Sequence, residues 1–136
     1  MKVVIDTNII VSALLSPYSY SSQVLRLVLT KKIDIALDSR IISEYREVLM
    51  RPKFDFELDN VKVIMDYLYD IAEKIIAAPV SISLPDPDDK MFYEVAISSN
   101  AEYLITGNKK HFPKNICKKT KIISPKEFCK LTKINL

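Results

Sequence analysis

Apolar positions along the chain follow two rhythms. Short unbroken runs alternate with stripes at helical spacing. Val3, Val4 and Ile5 form the first run, inside the stretch Lys2 to Asn8, K-V-V-I-D-T-N. A continuous β-branched run suits a strand covered on both faces, as in a parallel sheet. Ile9 to Leu15 then starts a helix, which Ser16-Pro17 ends. Val24, Leu25, Val28 and Leu29 recur at helical spacing, with Ser21 or Ser22 as the cap. Ile33 to Leu37 reads as a second strand. Asp38-Ser39 caps a helix whose stripe is Ile41, Ile42, Tyr45, Val48 and Leu49. Asp59 or Asn60 caps the next helix, with Val63, Ile64, Tyr67, Leu68, Ile71 and Ile75 facing inward. A short third strand is expected within Pro79 to Pro85.

The run Asp86-Pro87-Asp88-Asp89 is a helix start: an acid at the cap, proline at the first position and acids in the first turn. Met91, Phe92, Val95 and Ala96 supply that helix's buried face, and Asn100 suits its left-handed end. Glu102 to Thr106 is the fourth strand and Lys121 to Ser124 the fifth. Pro125 opens a final short helix. Strands and helices therefore alternate from end to end, which predicts an α/β fold, a parallel sheet with helices on both faces. The length, 136 residues, suits one domain over 1–136. In open sheets of this kind ligands bind beyond the carboxyl ends of the strands. Asp6 stands at such an end, and so do Thr106 and Asn108.

Composition narrows the chemistry. The chain has a single glycine, so no glycine-rich phosphate loop exists. Its single histidine, His111, sits among lysines; it reads as a surface residue, and one histidine gives no histidine cluster for a zinc site of the usual sort. Cys117 and Cys129 have no metal-ligand spacing and suggest no disulfide framework. No stretch is long and apolar enough for a membrane span, and the chain opens directly into a strand without a signal peptide. A reducing cytoplasm is the simplest expectation. Net charge is +3, but from Gly107 onward there are nine lysines against one acid, Glu127, so the preceding body carries −5. An acidic body joined to a basic tail suits metal ions in one place and phosphates in another.

The candidate groups are oxygen donors. Asp6 directly follows a buried strand, where packing gives no reason for an acid. Capping alone does not require it, because Thr7 and Asn8 cap equally well. Glu44 lies one step beside the apolar stripe of its helix, with Arg40 and Glu47 at helical spacing, so a solvent-facing charge pair is its plain alternative. Asp89 falls at the third position of its helix, where it either bonds back to the cap or faces the sheet edge. For Thr106 and Asn108 the alternative is a turn built on Gly107. Oxygen donors of this kind suit Mg²⁺ or Mn²⁺. Such an ion lowers the pKa of bound water and neutralises charge on a phosphodiester.

Four stretches together resemble one family. They are D-T-N-I-I-V-S-A-L, the helix S-E-Y-R-E-V-L-x-R-P-K-F, the run D-P-D-D-K-M-F-Y-E-V-A and the strand end Y-L-I-T-G-N. In this order and spacing they resemble the PIN-domain proteins, most closely the toxin components of toxin–antitoxin systems related to VapC. The resemblance covers Met1 to about Phe128. It implies a three-layer α/β/α fold with a parallel sheet of about five strands in the order 3-2-1-4-5. It implies a metal-dependent ribonuclease whose acids fall on Asp6, Glu44 and Asp89, all three ligands of Mg²⁺ or Mn²⁺. Asn8 and Thr106 would hold the carboxylates in place. The family commonly has a fourth acid where this chain has Asn108, which weakens a second metal site. Lys109 and Lys110 are the adjacent cations for a nucleic acid. The implied partners are an RNA substrate, an antitoxin protein and a second copy of the chain, with the Tyr18–Tyr20 loop or the helix from Asp59 to Ile75 available for pairing.

Two other readings compete. Asn108 in place of an acid fits a PIN-fold module that binds RNA or protein without cutting. The strand-one Asp6 also loosely resembles the aspartyl nucleophile of haloacid-dehalogenase-like phosphatases, but their second acid two residues on is Asn8 here, and their strand-four acid pair is absent.

Overall fold

A computed structural model describes residues 1–132. Five strands make one wholly parallel sheet in the order β3-β2-β1-β4-β5. They are β1 (Lys2–Ile5), β2 (Asp34–Leu37), β3 (Glu73–Lys74), β4 (Tyr103–Ile105) and β5 (Lys121–Ile123). The helices are α1 (Thr7–Leu15), α2 (Tyr20–Leu29), α3 (Ser39–Leu49), α4 (Leu58–Ile71), α5 (Lys90–Ser99) and α6 (Pro125–Thr132). The α/β class and the strand order are those the sequence led us to expect.

β1 is the hub of the sheet. Val3 faces Ile35 of β2 and Tyr103 of β4, and Ile5 pairs with Ile105. Successive strand residues point to opposite faces, and Val3, Val4 and Ile5 are all fully buried. Both faces of the sheet are therefore covered. α1 packs on α2, α2 on α6 and α3 on α4, while α5 lies across β1, β2 and β4. The apolar stripe of α3 is buried as its spacing predicted. Asp38 caps it, accepting from the Ile41 amide at 3.0 Å. Asn100 ends α5 in the left-handed region, φ 56°.

Several expectations are corrected. Val63 and Tyr67, expected to face inward from α4, are exposed, and Val61, Met65 and Leu68 are the buried residues of that helix. The third strand is not within Pro79 to Pro85 but at Glu73–Lys74, paired with Ala36 and Leu37. The helix stops at Ile71 because Ala72 turns extended, and Ile75 follows the strand, donating its amide to Leu37 O at 2.9 Å. The segment from 79 to 85 has no regular structure. It is tied back to the body by Val80 N–H donating to Glu94 Oε2 at 2.9 Å. The cap of α2 is Ser19, accepting from Ser22 N at 3.1 Å, so Ser21 and Ser22 lie inside the helix and are buried. α4 begins at Leu58, one residue ahead of the expected caps, with Glu57 before it and no side-chain cap.

Candidate metal and nucleic-acid site

The β1–β4 pairing brings two strand ends together. Asp6 follows Ile5 and Thr106 follows Ile105, and the Asp6 amide donates to Ile105 O at 2.9 Å. Asp6 is also the residue before α1, but its carboxylate makes no capping hydrogen bond. It accepts instead from Thr106 Oγ1 at 2.7 Å. Thr106 is fully buried, and its hydroxyl oxygen accepts from the Asn108 amide at 3.1 Å. A backbone amide thus aligns a hydroxyl, and the hydroxyl aligns a carboxylate.

Glu44 reaches the same edge from α3. Thr7 Oγ1 donates to Glu44 Oε2. The next residue, Tyr45, is fully buried and donates its hydroxyl to Ile5 O, which ties α3 to the end of β1. Burial raises the Tyr45 pKa well above its ordinary value, and the charges of Asp6 and Glu44 push the same way. Asp89 closes the turn Pro87–Asp89 that leads into α5. Asp86 accepts from the Asp88 amide at 3.0 Å, so it takes the capping role and leaves Asp89 to face the edge.

Asp6, Glu44 and Asp89 line one cavity of about 200 Å³, together with Thr7, Asn8, Arg51 and His111. A larger cavity, about 330 Å³ against Asn100, Lys119 and Lys121, has a single acid in its wall, Glu102. Asp6 has its pKa raised by burial, an effect partly offset by the Thr106 hydrogen bond and the Thr7 amide. Asp89 is raised to about 6, first by burial, then by the charges of Asp6 and Asp86, with His111 opposing. A buried acid close to another acid favours its neutral form.

The sequence-expected residues divide. Asp6, Glu44, Asp89 and Asn8 share the cavity, and Thr106 holds Asp6 from behind. Asn8 is exposed in that wall, and its backbone amide favours the charged form of Asp6. Asn108, Lys109 and Lys110 are not in the cavity wall. Asn108 contributes its amide, and Lys109 is paired with Glu127 at 2.7 Å. Glu94, the buried acid of α5, is committed to Arg40 at 2.8 Å and is not in the cavity wall.

His111 is corrected from a surface residue to a member of the site. Its Nδ1 lies 2.9 Å from Asp89 Oδ2. That is ion-pair distance without hydrogen-bond geometry, because Asp89 Oδ2 is buried with no hydrogen-bond partner. No local pattern around His111 signals this, since its partner is 22 residues away. Thr7 and Tyr45 were also missed. The hydroxyl in D-T-N and the tyrosine in S-E-Y were the available signals.

The donor set fits a hard divalent cation. Three carboxylates from separate elements line one cavity, and the buried Asp89 Oδ2 there has only His111 Nδ1 beside it, at 2.9 Å. Among the described residues, however, no three acids, histidines or cysteines already stand close enough to form a ligand cluster. The pair in direct electrostatic contact is Asp6 and Asp89.

A parallel sheet with acids at its central switch point defines the class: an α/β domain with an acidic, oxygen-donor edge. The family follows from comparison. A PIN-domain family model matches residues 2–110, and the chain belongs to the PIN-domain family. It is 33% identical over 112 residues to MJ1680, an uncharacterised protein of Methanocaldococcus jannaschii, covering 80% of this chain and 72% of that one. Its fold is similar to a chain in the crystal structure of VapBC2 from Rickettsia felis bound to a DNA fragment from their promoter. There the TM-score is 0.59 at 20% identity, over 91% of this chain and 98% of the other.

Proposed function

We propose that this PIN-domain protein is an Mg²⁺- or Mn²⁺-dependent endoribonuclease, acting as the toxin of a toxin–antitoxin pair. The observation that carries the reading is the convergence of Asp6, Glu44 and Asp89 on one cavity, with Asp89 Oδ2 buried and undonated. Asp6 and Asp89 would hold the cation, and Glu44 would bind it or take a proton from water. When bound, the cation would supply Lewis-acid stabilisation of phosphodiester charge and a more acidic water. Thr106 fixes the Asp6 carboxylate and Thr7 fixes Glu44, so neither acid needs to reorganise as charge develops. Water oxygen attacks phosphorus and Glu44 takes its proton. The bond from phosphorus to the 3′ oxygen breaks and that oxygen takes a proton from solvent, leaving a 5′-phosphate and a 3′-hydroxyl. With Asn108 outside the cavity, the three acids favour a single principal cation.

The toxin assignment brings an antitoxin protein as partner, and pairing with a second copy of the chain remains part of the proposal. The described helices include none long and apolar enough to cross a membrane. The test is end-labelled single-stranded RNA incubated with Mn²⁺ or EDTA, alongside Asp6→Asn purified identically. Cutting by the wild type with Mn²⁺ alone, and none by the variant, supports the reading. Equal behaviour of both proteins on several RNAs moves the assignment to a non-cutting binding module.

A further inference from the structure

A second cavity adjoins the carboxylate cavity. It encloses about 470 Å³ between α1, the start of α2, the end of β4 and the start of α6. That volume is within the ~300–1,000 Å³ typical of small-ligand pockets. Asn8 lines both cavities, so they lie on either side of one residue. Their chemistry differs. The carboxylate cavity has five acids in its wall, and this one has none. Ile9, Tyr20 and Pro125 give it apolar surface, Ser12 and Ser124 give hydroxyls, and exposed Lys126 gives a positive charge at the rim.

Gly107 lines this cavity, and it is the only glycine in the chain. Its φ is not positive, so its backbone conformation does not require glycine. A Cβ built there meets only Ile9 Cδ1, at an ordinary contact distance of 3.8 Å. Neither strain nor packing therefore accounts for the missing side chain. What its absence does is leave the groove open next to the strand end that carries Thr106.

We propose that this groove is a nucleoside subsite: it takes one unstacked nucleoside of single-stranded RNA, next to the phosphate that enters the carboxylate cavity. Tyr20 offers a face for base stacking, the serine hydroxyls reach base edges or the ribose 2′-hydroxyl, and Lys126 meets a flanking phosphate. The absence of acids lets a polyanion lie there, while the neighbouring acids take the cation. The proposal rests on the nuclease reading above and names the substrate class of the same site.

The test compares Gly107→Ala and Gly107→Leu with the wild type. Binding of a fluorescein-labelled, unstructured RNA is followed by anisotropy in EDTA, cleavage in Mn²⁺, and Mn²⁺-dependent thermal stabilisation without RNA. Gly107→Leu is expected to lose about tenfold in RNA affinity, the order expected for one stacked base. It should raise KM to match and keep its Mn²⁺ stabilisation, while Gly107→Ala, with a smaller side chain, loses less of each. If both variants bind and cut like the wild type, the groove proposal is overturned and the nuclease reading stands. A wild type that binds RNA without cutting, with binding lost only in Gly107→Leu, supports the groove and removes the nuclease reading. Equal losses in the Ala and Leu variants also overturn the proposal, because they point to local structure. Should Gly107→Leu fail to unfold cooperatively, Lys126→Glu replaces it: weakened RNA binding supports the groove, and unchanged binding overturns it.

Discussion

Replacing Asp89 with asparagine should stabilise the metal-free protein at neutral pH while removing its nuclease chemistry. The folded protein raises the Asp89 pKa from 3.8 to about 6. A raised carboxyl pKa means that the folded state binds its proton more tightly than the unfolded chain. Stability is therefore lost as pH rises from the unfolded value, near 4, through about 6. Two units correspond to ~2–3 kcal/mol of unfavourable ionisation at pH 7. The group is only 9% exposed, so solvent screening removes little of this. Asparagine keeps the shape and carries no charge against Asp6. For a chain of this length, each kcal/mol moves Tm by roughly 3–4 °C, so a rise of about 6–12 °C is expected. The assay is thermal unfolding of both proteins in EDTA at a series of pH values from 4 to 8. The gap should be largest at pH 7 and above, and should close towards pH 4. A variant that is less stable than the wild type at pH 7, or a gap that does not change with pH, would refute the reasoning.

Other expectations follow from the same geometry. Saturating Mn²⁺ at about 100 times its Kd should stabilise the wild type by ~2.7 kcal/mol in a thermal-shift titration, and Asp6→Asn should largely abolish the effect. Thr106→Val removes the hydroxyl that donates to Asp6 at 2.7 Å; RNA cleavage should drop about 5- to 150-fold (about 1–3 kcal/mol) while circular dichroism is unchanged. Tyr45→Phe leaves Ile5 O without its buried donor, and urea denaturation should show a loss of about 1–3 kcal/mol. Glu94 is buried and shared between Arg40 at 2.8 Å and the Val80 amide at 2.9 Å; Arg40→Ala should destabilise by about 1–2 kcal/mol, Arg40 being half exposed, and limited proteolysis should then cut faster within residues 79–85.

Much of this protein is written locally. The buried run Val3 to Ile5 and the stripe from Ile41 to Leu49 carry periodicities that any fold must satisfy, and they recur unchanged in three dimensions. The placing of Asp6 and Thr106 at strand ends, of Asp89 beyond a proline-led turn and of Asn100 at a helix end rests on residues adjacent in the chain. The strand order, and the choice of Glu44 over its helical neighbours, came from resemblance to the PIN family.

What required the tertiary structure is of another kind. β3 is two residues long, too short to carry any period, and it exists because Ala36 and Leu37 offer it partners. The segment from 79 to 85, whose alternation looked like a strand, has no such partner and is tied instead to Glu94. His111 enters the site only because the turn after β4 folds back towards Asp89. The Thr7–Glu44 and Tyr45–Ile5 contacts span 37 and 40 residues. Periodicity and capping act over a few residues, whereas burial and charge depend on which distant segments the sheet makes neighbours. That is why the strand-end and helix-start positions of Asp6 and Asp89 are legible along the chain, and why the raised pKa of Asp89, the orphaned oxygen beside His111 and the groove at Gly107 were decided only by the packed fold.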